Sequence, residues 1–170
     1  MLSFDIRSLE TKAVRVNGSL QPDDPIWEAG DLRPSEPIQV TGRLSSTGEG
    51  RFYFTGRISG AVELPCRLCL EEVDVEVDED VHLLLAEIGA EEADDPDVFL
   101  YDPNARMLDL RSAVRETWLL SAPGFVQCRE DCKGLCATCG TNLNESTCNC
   151  TPTKTDSRWD ALLKHRSKTH

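Results

Sequence analysis

The chain has 170 residues, 39% hydrophobic and 28% charged, with a formal net charge of −12. That length suits one domain, or one domain with a small appendage, and buries about two-thirds of the unfolded surface without cross-links. Fourteen of the thirty Asp and Glu residues fall between 71 and 102, where there is no Lys or Arg; such a block repels nucleic acid and attracts basic partners.

The opening, MLSFDIRSLETKAV, lacks the basic start and apolar run of a signal peptide. No stretch approaches the ~18 apolar residues of a membrane span. Both observations point to the cytoplasm, where thiols stay reduced and clustered cysteines serve metal or redox chemistry.

Leu2, Phe4 and Ile6 alternate with polar residues, as in a short strand. Asn17-Gly18 reads as a turn. Pro22, Pro25, Pro34 and Pro37 make residues 20–37 an irregular connection, pinned to the body by Ile26 and Trp27. A meander follows. Ile38, Val40 and Leu44 share one face, and residues 45–50 form a turn. Phe52, Phe54, Ile58, Val62 and Leu64 keep even parity, with Gly56 and Gly60 at expected bulges or bends. Val73, Val75, Val77, Val81, Leu83 and Leu85 keep odd parity, while Asp74, Glu76, Asp78, Asp80 and His82 fill the anionic outer face. Residues 87–105, acidic and with two prolines, read as a mobile loop.

Leu110, Ala113, Val114, Thr117 and Trp118 follow helical spacing, so a helix is expected over about residues 110–121, capped by Asp109 and ended by Pro123-Gly124. Asp156 is placed to cap a last helix that turns Trp159, Leu162 and Leu163 inward. Trp118 and Trp159 sit at core spacing and are read as packing residues. The fold class expected is α+β: an antiparallel β-meander with a packed helix over residues 1–127. A Cys-rich, zinc-ribbon-like region with a short helix follows over 128–170, docked on the core as one domain.

The eight cysteines are Cys66, Cys69, Cys128, Cys132, Cys136, Cys139, Cys148 and Cys150. A C-x-x-C on a hairpin tip aims both sulfurs at one point, and PCRLC and CATCG each supply one, with Gly140 offering a permissive backbone. Four thiolates match tetrahedral zinc. Two partitions suggest themselves. Either the knuckles 66/69 and 136/139 share one metal, leaving 128, 132, 148 and 150 for a second, or 132, 136, 139 and 148 form one local site. One zinc is expected, and two are within reach of the thiol count.

Other uses of the thiols fit less well. The usual compact spacings of iron–sulfur clusters are absent. PCRLC matches half of the zinc-deaminase signature, but no H-x-E or C-x-E precedes it. A thioredoxin-like dithiol needs a helix start in a βαβ setting. His82 is read as a solvated strand residue rather than a ligand. His165 and His170, near the tail, are not placed to pair with a nucleophilic thiol. No phosphate-binding loop or acid–base pair emerges, so neither enzyme nor small-molecule substrate is indicated. Arg51, Tyr53 and Arg57 are the candidates for contact with RNA or a partner.

Several segments together resemble the YceD family, bacterial proteins linked to accumulation of the large-subunit ribosomal RNA. They are CRLCL after a meander, VDVEVDEDVHLLLAE, LDLRSAVRETWLLSAP, CREDCKGLCATCGTNLN with its later C-x-C, and DSRWDALLK. The resemblance covers most of residues 38–163, and CKGLCATCG with its NLN is the most specific part. It implies a role in 23S ribosomal RNA synthesis, processing or accumulation, and no established enzymatic activity. The acidic charge favours a basic ribosomal protein or a pre-large-subunit particle as partner over bare RNA, because phosphate contacts need Lys or Arg. The competing expectation is a redox- or metal-responsive regulator that uses its CxxC thiols.

Overall fold

The computed structural model describes residues 1–151, apart from the side chains of residues 92 and 93. The helix expected after Asp156, with Trp159, Leu162 and Leu163, lies outside the described residues, as do His165 and His170. The chain divides into two compact units: residues 1–64 with 73–125, and residues 65–72 with 126 onward.

The first unit is α+β. Its main sheet has five strands in the order β2-β3-β4-β5-β6: β2 (Val14–Leu20), β3 (Ile38–Gly48), β4 (Arg51–Pro65), β5 (Glu72–Glu87) and β6 (Val98–Tyr101). β2 pairs antiparallel with β3, from Val14 opposite Leu44 to Leu20 opposite Ile38. β3 and β4 form a long hairpin whose register holds from Gln39–Ser59 to Ser46–Phe52. Parity works as expected: Ile38, Val40, Leu44, Phe52, Phe54, Ile58 and Val62 are buried, and so are Val77, Val81, Leu83 and Leu85. One face of the sheet is therefore core and the other is wet.

Several local expectations are corrected. Asn17-Gly18 is not a turn but the middle of β2. A Cβ on Gly18 would stand 2.9 Å from Leu2 Cδ2, so the glycine is there for a close approach. The β3–β4 turn is tighter than residues 45–50: β3 continues to Gly48, and Gly48, Glu49 and Gly50 take positive φ. Gly56 makes no bulge against β3; it sits opposite Gly42, and a Cβ on either would run first into the facing backbone, the Thr41 carbonyl oxygen for Gly56 and that of Thr55 for Gly42, and then into the Phe54 ring. Gly60 leaves room for the indole of Trp118, 3.0 Å from where its Cβ would be. Gly56 is thus demanded first by the close approach of the facing backbone and then by the Phe54 ring, and Gly60 by the Trp118 indole.

Residues 87–105 are not merely a loop. They hold a 3-10 turn, Glu91–Asp94, and the strand β6, which pairs parallel to β5 from Leu84–Val98 to Glu87–Tyr101 and makes the sheet mixed. Val98-Phe99-Leu100-Tyr101 has the β-branched and aromatic content of a strand, and its acidic flanks obscured it. Tyr101 anchors the strand by donating its hydroxyl to the Gly50 carbonyl at 2.7 Å.

The opening residues also differ. Strand β1 (Ser3–Asp5) pairs with β7 (Met107–Asp109) in a small second sheet. Ile6 does not extend β1; it starts the helix α1 (Ile6–Thr11), because Asp5 caps it by accepting the Ser8 N–H at 2.9 Å. The second helix, α2, spans Arg111–Ser121. Its N-cap position is Leu110, one residue after the expected Asp109, whose carboxylate still accepts the Arg111 N–H at 3.0 Å. Trp118 is fully buried and donates its indole N–H to the Leu32 carbonyl at 2.9 Å. Trp27 is buried and donates to the Gln21 carbonyl, so the proline-rich connection is pinned as expected. Arg115 ties the same connection to α2 through Asp31 at 2.6 Å. Among the described residues no helix is long and apolar enough to cross a membrane.

Candidate metal centres

The eight cysteines converge on two points. Cys66, Cys69, Cys128 and Cys132 form one group; Cys136, Cys139, Cys148 and Cys150 form the other. Within each, all four sulfurs lie within 4.8 Å of one another. Neither partition expected from spacing is correct. The two knuckles do not share a site. Each takes a separate pair from later in the chain: 128/132 for the first and 148/150 for the second.

The reason lies in the backbone. Cys66 forms a parallel bridge with Val126, and the Arg67 N–H donates to the Val126 carbonyl at 2.9 Å. That pairing delivers Cys128 beside the first knuckle. The Leu135 N–H then bonds the Leu68 carbonyl at 2.9 Å. The second knuckle is held by its own small hairpin, in which Leu135 bridges Asn142 and the Leu143 N–H donates to Gly134.

The knuckles are two copies of one design. In the first, the Cys66 N–H donates to the Glu71 carbonyl at 2.8 Å and the Leu70 N–H to the Cys66 carbonyl at 2.9 Å. In the second, Cys136 donates to Thr141 at 2.8 Å and Gly140 to Cys136 at 2.9 Å. Both turns need a left-handed residue after the second cysteine: Gly140 at φ 72°, as expected, and Leu70 at φ 62°.

The donor set fits a tetrahedral divalent metal. Zinc–sulfur bonds of ~2.3 Å imply sulfur–sulfur edges of about 3.8 Å. The Cys66–Cys132 and Cys69–Cys128 separations are 3.9 and 3.5 Å. These are far too long for disulfides, and all eight cysteines are free. N–H groups already point at sulfur, as they do around metal-bound thiolates. Cys128 donates to Cys66 Sγ at 3.4 Å, Thr138 to Cys136 Sγ at 3.5 Å, and the Asn144 amide to Cys132 Sγ at 3.4 Å.

Each cluster sorts its thiols into two acidic and two basic. Burial would raise Cys66, but the N–H groups of Cys128, Cys69 and Leu68 outweigh it and bring the thiol down to about 6. Cys132 is lowered against its burial by the Asn144 amide and the Gly134 N–H. The Glu71 N–H draws Cys69 down, but burial and the neighbouring sulfurs push it up to about 12. Cys128 is raised by burial and by Cys132 and Cys66. In the second cluster the Thr141 hydroxyl and N–H bring Cys139 to about 6. N–H groups of Cys139 and Thr138 lower Cys136. Cys150 is pushed to about 12, first by Cys139. Cys148 is also raised: Cys136 and burial outweigh the Cys150 N–H. Four adjacent thiolates repel one another too strongly to coexist without a cation. A metal ion relieves that repulsion by displacing the remaining protons.

Two residues that the cysteine pattern did not single out complete this arrangement. Asn142 donates to Glu71 at 2.7 Å, and its own amide oxygen accepts from Asn144. Asn144 reaches Cys132 and accepts the Lys133 N–H at 2.8 Å. The NLN triplet is thus the polar frame of the first cluster; its position just after a knuckle was the available signal.

Arg51, Tyr53 and Arg57 lie on β4, on its outward face. Arg51 contacts Glu49 at 2.6 Å, Arg57 grips the Asp78 carboxylate with two N–H groups, and the Tyr53 hydroxyl sits 3.0 Å from His82 Nδ1 with the rings stacked. The Arg57 hydrogen bonds hold the Asp78 carboxyl below the usual range. His82 is exposed on β5, as expected of a solvated strand residue.

The fold and these centres define the class: a mixed-sheet α+β protein with two four-cysteine sites, each able to hold a metal ion. The family described as "Large ribosomal RNA subunit accumulation protein YceD" matches residues 54–164, a span that takes in both clusters, and the chain belongs to that family. Comparison with curated proteins and with solved structures yields no match.

Proposed function

We propose that this chain is a non-enzymatic factor in biogenesis of the large ribosomal subunit, supporting synthesis, processing or accumulation of 23S ribosomal RNA in the cytoplasm. Two structural zinc ions, one per four-cysteine cluster, would hold its C-terminal, zinc-ribbon-like region. The family membership carries the biological half of this reading. The closed four-sulfur donor sets carry the other half, because four cysteine ligands leave no position for a reactive water. Its partner is a basic ribosomal protein or a precursor particle rather than bare RNA, given the net charge of −12.

The first test is metal content by mass spectrometry on purified, reduced protein, with free thiols counted before and after chelation. Two zinc ions per chain and thiols released only on chelation are expected; eight free thiols and no zinc would remove the structural-metal half. Co-sedimentation with pre-large-subunit particles tests the other half. Tight binding to 23S fragments, with a steep salt dependence, would put RNA in place of the protein partner.

A second reading, a metal- or redox-responsive regulator, is favoured by one observation: Cys139 is exposed, whereas Cys66 and Cys69 are buried. It predicts metal loss from the second cluster on mild oxidation, with a change in partner binding.

A further inference from the structure

The charges of α2 are sorted by face. Arg111 and Arg115, one turn apart, are both used internally: Arg111 pairs with Asp24 and Asp109, and Arg115 with Glu28 and Asp31. Glu116 and Leu120, also one turn apart, point elsewhere. Glu116 is exposed and in no ion pair among the described residues; Leu120 is 81% exposed, unusual for a leucine on a helix that otherwise buries its apolar side chains. This stripe forms one wall of a cleft of about 630 Å³. Glu79 and Asp80 of β5 line it, as do Asp97 and Phe99 at the start of β6. Four carboxylates surround the cleft, and no Lys or Arg lines it. The nearby cation Arg57 is held by Asp78.

We propose that this cleft is the docking site for a basic segment of a protein partner, with Lys or Arg side chains facing Glu79, Asp80, Asp97 and Glu116 and an apolar residue seated on Leu120 and Phe99. Charge complementarity selects the occupant. A nucleic acid would bring phosphates against four carboxylates, and a purely apolar helix would desolvate them without compensation. A basic segment with one apolar anchor satisfies both kinds of surface. The inference rests on the reading of the partner as a basic protein, and it names the face that meets it.

The test uses the full zinc-loaded chain, isotopically labelled, titrated with a short synthetic Lys/Arg peptide carrying one leucine and, in parallel, with a single-stranded RNA oligonucleotide. Amide shifts confined to residues 79–83, 97–99 and 116–121, with the peptide alone, are expected. Asp97→Lys combined with Glu116→Lys weakens the peptide by about tenfold or more, and Leu120→Ser by several-fold, as for anchors of a docking site. Asp74→Lys with Glu76→Lys, equal in charge but on β5 away from the cleft, changes it less than about threefold. Equal loss from both charge reversals, shifts spread along all of β5, or RNA binding in the cleft would each overturn the proposal. Leu120→Ser alters only an exposed side chain, and the shift map uses the unaltered protein, so a misfolded charge variant does not decide the outcome. Sedimentation separates the two readings. If the unaltered chain co-sediments with precursor particles and the Asp97/Glu116 variant does so equally, with undiminished peptide affinity, the cleft fails while the biogenesis role stands. Specific peptide binding without co-sedimentation leaves the cleft standing and the biogenesis role overturned.

Discussion

The two cysteine clusters share a donor set, a knuckle design and a pattern of two acidic and two basic thiols, yet they are held differently. The first gathers Cys66 and Cys69 from the β4–β5 connection and Cys128 and Cys132 from about sixty residues later, with two buried sulfurs and backbone bonds through Val126 and Leu68. The second lies within residues 136–150, with one exposed sulfur and three half-buried ones. Closing the longer loop removes more unfolded-state freedom, by about 1.7 kcal/mol on the logarithmic scaling of flexible chains. The same chemistry thus does two jobs: the first site fastens distant parts of the sequence, and the second shapes one local loop.

The strongest test of that contrast removes ligands in pairs. Cys66→Ser with Cys69→Ser should lose one metal and unfold much of the second unit, since structural zinc contributes on the order of 10 kcal/mol to small metal-folded regions. Cys148→Ser with Cys150→Ser should lose one metal and leave the first intact, with amide protection retained near Val126 and Leu135. Metal content and hydrogen exchange read both outcomes; identical losses from the two pairs would erase the distinction.

Acidity offers a sharper probe of what the clusters share. Two thiols in each are lowered, to about 6 where Cys66 and Cys139 are concerned, and two are raised, to about 12 where Cys69 and Cys150 are concerned. At neutral pH the two raised thiols of each site hold their protons, so at least two protons per site must leave on metal binding. Near neutral pH zinc affinity should rise at least about a hundredfold per pH unit at each site, and more steeply below about pH 6, where Cys66 and Cys139 also hold protons. Proton release measured by calorimetry in two buffers of different ionisation heat checks the count.

Exposure predicts kinetics. A chelator should strip the second cluster at least about tenfold faster than the first, so thiol reagents would report two sets of four. A single phase of eight thiols would mean that the sites open together. The smallest effects come from polar neighbours: Asn144→Ala should weaken the first site, and Thr141→Val the second, each about tenfold. Competition titration with a colorimetric chelator resolves the two, and a loss at the wrong site would contradict the assigned contacts.

Much of this was legible in the sequence. Parity alone separated the buried Phe52, Phe54 and Ile58 from the wet face, and helical spacing found α2, because each reflects a repeating geometry. α1 escaped because six residues cannot display a period, and β6 because four apolar residues were hidden by acidic flanks. The reasons for Gly56 and Gly60 are not local: the facing backbone at Thr41 crowds the first, and the Trp118 indole, far along the chain, crowds the second. The cysteines were recognised as metal-type, but not how they divide. Spacing records which thiols are near in sequence; the Cys66–Val126 bridge that decides the partition is a long-range pairing with no local signature.

The first knuckle also has a consequence in time. Cys69 leaves the ribosome fifty-nine residues before Cys128, its neighbour in the cluster. At roughly 5–20 residues per second, that gap lasts about 3–12 s. For that interval the nascent chain carries a two-thiol half-site whose completing ligands have not been made. Any ion it meets there must be held by two sulfurs or let go. The second cluster never passes through so long a wait.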